Sequence, residues 1–82
     1  MTREQKELLY RITCLHSDRF YLAMDDHWSA QSYERDAIMR RDLDVLEKEY
    51  EEKYGALPDW EGLIDNVWAM KKELKKELEE NE

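Results

Sequence analysis

Apolar positions in this chain recur every three to four residues in three blocks, and the blocks differ in how much of a helix they would cover. Each reads as a helix. The first runs from about residue 3 to 26 and contains neither proline nor glycine. With residues placed about every 100°, Leu8, Ile12, Leu15 and Leu22 form one face, Leu9, His16, Phe20 and Met24 a second, and Tyr10, Cys14, Tyr21 and Trp28 a third. Such a helix is apolar nearly all round, which is usual for one enclosed by its own protein or covered by a partner. Ser17, in the stretch HSDR, could cap a new helix and break this one in two.

DDHWSAQS then interrupts the pattern, and Asp26, Ser29 and Ser32 all suit the start of a second helix, because a short side-chain oxygen can accept from a free first-turn amide. That helix is expected over about 30–54. Met39, Leu43, Leu46 and Tyr50 make a narrow seam of coiled-coil type along it, while Ile38 and Val45 form a small separate patch. The stretch YGALPDWEGL holds the only proline and both glycines. It reads as a corner, with Gly55 closing one helix in a left-handed conformation, Pro58 preventing continuation and Asp59 capping the next. Leu57 or Pro58 would pack against Leu63 as a staple. The third helix is expected over about 59–80. Its stripe of Leu63, Val67, Met70, Leu74 and Leu78 is widened by Trp60, Ile64 and Trp68, beyond what one neighbouring helix covers. The pattern therefore predicts an all-α fold: a three-helix bundle, or a helical hairpin plus a third helix, in a single domain spanning 1–82.

Composition narrows the function classes. Hydrophobic and charged residues each make up 41% of 82 residues, enough apolar material for a thin bundle and little for an enclosed cofactor cavity. No cofactor is expected. The lone Cys14 excludes an internal disulfide, and MTREQKELLY follows its methionine with charges instead of an apolar run, so a cytoplasmic protein is expected. Net charge is −8, which opposes direct binding to nucleic acid or to anionic membranes. The first third is nearly neutral at +1, and residues 25–54 and 55–82 carry −5 and −4.

Candidate chemistry is sparse. Cys14 and His16 point about 200° apart on a helix, and His16 and His27 would be about 16 Å apart along it, so no metal site is expected. His27 beside Asp25 and Asp26 could form an acid–base pair, yet no nucleophile or oxyanion donor accompanies it. A capping turn is the simpler reading, and an enzyme is not expected. DLD at 42–44 lacks the glycine and distal glutamate of a calcium loop. The acidic run of the second helix, with Asp36, Asp42, Asp44, Glu47, Glu51 and Glu52, is either a solvated face or a surface for a basic partner, even a mimic of a phosphate backbone.

Aromatic residues carry the stronger signal, because tryptophan and tyrosine are favoured interface anchors. Trp28, Trp60, Ile64, Trp68 and Tyr21 are the expected apolar contacts with a protein partner, and the excess apolar surface of the first helix points to a homodimer. In general character the chain is similar to small acidic helical accessory proteins and inhibitors of bacteriophages, some of which block nucleic-acid enzymes by charge mimicry. No motif carries that likeness. The reading is a small acidic binding protein, an inhibitor or accessory factor; a purely structural oligomer subunit and an enzyme using His27 stand behind it.

Overall fold

Thr2 is extended and its hydroxyl accepts from the Gln5 amide at 3.1 Å, so one of the free first-turn amides is satisfied and a helix can start. In the computed structural model, which describes residues 1–25, 27–58 and 64–80 (only the backbone at Ile64), three α-helices follow. They are α1 (Arg3–Ala23), α2 (Ala30–Tyr54) and α3 (Ile64–Glu80). The fold is all-α, and no strand occurs among the described residues. No helix there is long and apolar enough to cross a membrane.

α1 is one continuous helix, so the break considered at Ser17 does not occur. The hydroxyl of Ser17 is engaged elsewhere, accepting from the Trp68 indole N–H at 3.0 Å. The helix ends at Ala23, three residues short of the expected 26. The carboxylate of Asp25 accepts from the His27 backbone N–H at 3.0 Å, fixing a turn that diverts the chain. Ser29 then caps α2 and exchanges hydrogen bonds with Ser32 in a reciprocal capping box.

Packing explains why α1 is apolar nearly all round. The side chain of Gln5 donates to the Tyr50 hydroxyl at 3.0 Å, and Arg19 pairs with Asp36 at 3.1 Å, so α2 runs antiparallel to α1. Lys6 lies 3.6 Å from Glu77 while Ser17 meets Trp68, so α3 is antiparallel to α1 as well. α1 packs against both, and the backbones of α2 and α3 do not come together. The central helix is lined by its own chain on two sides. The core joins Leu8, Leu9 and Ile12 of α1 to Leu43, Leu46 and Tyr50 of α2 and Leu74 of α3, with Met70 packed against it; of the stripe expected on α3, Trp60, Leu63 and the Ile64 side chain lie outside the described residues.

This topology changes the meaning of YGALPDWEGL. Gly55 does close α2, with a φ of 94° that favours glycine and its amide bonded to the Glu51 carbonyl at 3.1 Å. A tight corner would leave α3 antiparallel to α2, however, and the two are parallel. Tyr54 lies beside the start of α1 and Trp68 beside its end. Leu57 packs on the core; the expected cap at Asp59 and staple at Leu63 lie outside the described residues, as does any turn of α3 before Ile64.

Two helices on one make an open bundle. The radius of gyration is 13.6 Å, against about 12 Å for a compact chain of this length. The accessible surface is 6105 Å² for 10.1 kDa, against about 5300 Å² for a typical monomer of that mass.

Candidate protein-binding site

The end of α1, the start of α2 and the first turns of α3 meet at one end of the molecule, and most of the rings gather there. Tyr21 stacks on Trp68 with centroids 5.7 Å apart and planes at 28°. Phe20 meets the same indole edge-on at 5.5 Å and 89°. The Trp68 N–H is satisfied by buried Ser17, so the ring is fixed by a hydrogen bond and two aromatic contacts. Trp28 folds back over the last turn of α1, its indole N–H donating to the Leu22 carbonyl at 2.9 Å, and Tyr33 packs edge-on against it at 4.9 Å.

Phe20, Trp28 and Trp68 are half-buried supports for an exposed outer layer. Tyr21, Met24 and Tyr33 are 60%, 63% and 64% exposed. Exposed rings held by a fixed second layer make a pre-ordered contact surface with little side-chain entropy left to lose on binding. Tyr21, Trp28 and Trp68, expected from sequence as apolar contacts, thus converge on one end of the fold. Trp60 and the Ile64 side chain lie outside the described residues. Met24 and Tyr33 were not among the expected contacts; the signal was available in their spacing, since Met24 lies i+3 from Tyr21 and Tyr33 follows the α2 cap.

The acidic candidates are more dispersed. Asp36 is paired with Arg19, and Glu47 lies 3.4 Å from the His16 Nε2, so these two contribute to docking α2 on α1. Asp42 lines a groove between α1 and α2. Asp44, Glu51 and Glu52 are exposed; Asp44 and Glu51, seven residues apart, share one helix face.

His27 is exposed, and the bond from its backbone amide uses the Asp25 carboxylate; Asp26 lies outside the described residues. That geometry is the capping turn. No group of three metal-ligating side chains occurs among the described residues. His16 is half-buried, and its imidazole is pushed below its ordinary pKa, by desolvation first, with Glu47 acting in the opposite sense and Arg19 in the same one. No protein-family model, curated protein or solved structure matches the chain.

Proposed function

We propose that the protein acts by binding another protein through the aromatic end formed by Tyr21, Met24, Trp28, Tyr33 and Trp68, as an accessory or inhibitory factor of a basic partner such as a nucleic-acid-binding enzyme. The observation that carries this reading is the pair of exposed rings, Tyr21 on the Trp68 indole and Tyr33 on the Trp28 indole, with Met24 exposed at the same end. Amphipathic rings in such a setting supply much of the affinity in protein interfaces. The net charge of −8 supplies the other half of the argument: it disfavours acidic partners and speeds encounter with basic ones.

The test compares variants in capture from cell lysate. Tyr21→Ala with Tyr33→Ala removes exposed rings and leaves the Trp68–Ser17 bond in place. The captured partner should be lost or bound about thirtyfold more weakly, the usual effect of losing an interface anchor. Binding should also weaken as salt rises. Undiminished capture by the double variant would refute the aromatic end as the contact.

A further inference from the structure

Away from the aromatic end, α1 and α2 enclose an open groove of about 450 Å³ lined by Tyr10, Arg11, Cys14, Leu15, Asp42, Val45 and Leu46. Its floor is apolar. Beside it on α2 stand Val45, 61% exposed, and Ile38, 48% exposed, which share a face because they are seven residues apart. A hollow and an apolar ridge therefore lie next to each other on one surface. The rim is charged with opposite signs on its two walls: Arg11 comes from α1 and Asp42 from α2. Among the described residues neither has an ion-pair partner in its own chain.

We propose that this face binds a second copy of the same chain, forming a two-fold dimer in which α1 of each copy lies across α2 of the other. An isologous interface requires a self-complementary patch, and this one meets that requirement in charge. With the two-fold axis along the groove, the two grooves face each other and Val45 of each copy lies over the Tyr10–Leu15 wall of its mate. Arg11 of each then faces Asp42 of the other.

The net charge does not prevent the pairing. Between residues 34 and 45 the chain carries Glu34, Asp36, Asp42 and Asp44 against Arg35, Arg40 and Arg41, so the ridge is close to neutral. The acidic excess of α2 lies further on, at residues 47–52, away from Ile38. This surface is separate from the aromatic end, and the dimer stands or falls independently of the proposed partner.

The full chain, kept reduced, is measured by sedimentation equilibrium over a range of concentrations, with circular dichroism as a check of folding. Twice the 10.1 kDa chain mass is expected. Val45→Glu, at an exposed position, should raise the dissociation constant tenfold or more. Arg11→Glu and Asp42→Arg should each weaken the dimer, and the two together should restore it, because the swapped charges again face each other across the axis. Tyr21→Ala with Tyr33→Ala should leave the mass unchanged. A single-chain mass at every concentration, a dimer indifferent to Val45→Glu, or a charge swap that fails to rescue would overturn the proposal.

Discussion

The two sides of α1 solve the same packing problem with different chemistry. Toward α2 the contact is a ridge of large apolar side chains, Leu8 and Ile12 against Leu43, Leu46 and Tyr50, bounded by polar links at Arg19–Asp36 and Gln5–Tyr50. Toward α3 two small hydroxyl residues are buried, Thr13 and Ser17 at 0% and 1% exposure. Neither hydroxyl is left unsatisfied, since Thr13 donates to the Tyr10 carbonyl at 2.8 Å and Ser17 accepts from Trp68. A small residue leaves room for a large one, and here the room is taken by an indole. The α2 side is held mainly by area, which is non-directional; the α3 side adds a directional bond that fixes where Trp68 sits.

The largest effect should come from the residue on which the aliphatic side depends. Ile12 is completely buried in the shared core, and Ile12→Ala should cost about 2–4 kcal/mol through lost burial and an unfilled cavity. For a chain of 82 residues that is a large part of the whole stability, roughly 4–12 kcal/mol. Urea denaturation should show a midpoint far below that of the parent. A midpoint shift no greater than that of an exposed site such as Glu52→Ala would mean that this core is not packed as described.

The directional side should respond less, and with coupling. Ser17→Ala removes the acceptor for a partly buried indole N–H, and Trp68→Phe removes the donor; each should cost about 1–2 kcal/mol. Their effects should not add, because the second substitution has no bond left to break. A double-mutant cycle giving a coupling near zero would reduce the Ser17–Trp68 contact to simple adjacency.

How much of this contrast was legible in sequence follows from the same chemistry. The aliphatic side was readable: Met39, Leu43, Leu46 and Tyr50 repeat at helical spacing, and all four are wholly or partly buried. The hydroxyl side was not, since serine and threonine in a helix pattern look the same whether they face water or an indole. Ser17 was read as a possible cap for that reason. Nor could periodicity show that α1 stands between two helices whose backbones do not come together, because a helix apolar on three faces suits a central position and an external partner equally well. The central position accounts for most of its apolar surface, and what is left exposed is concentrated at Tyr21 and Met24. The parallel course of α2 and α3 was hidden too, because Gly55 and Pro58 announce the end of a helix without saying where the next one begins.

The smallest effect belongs to the α2 side and sharpens the contrast by pH. His16 sits beside Glu47 there, and burial holds its imidazole below its ordinary value of 6.5 in spite of that carboxylate. The folded state therefore binds the proton less readily than the unfolded chain. Between the depressed value and the ordinary one the unfolded state holds more protons, so stability rises with pH in that window. The contribution is fully present above about pH 6.5 and is lost as pH falls through the folded-state value. Urea midpoints of the parent should decline across this range, and those of His16→Gln, which keeps a polar side chain and cannot titrate, should decline less. If the two curves ran parallel, the imidazole would be as well solvated as in the unfolded chain. The α2 side would then be wetter than a contact held by buried area allows.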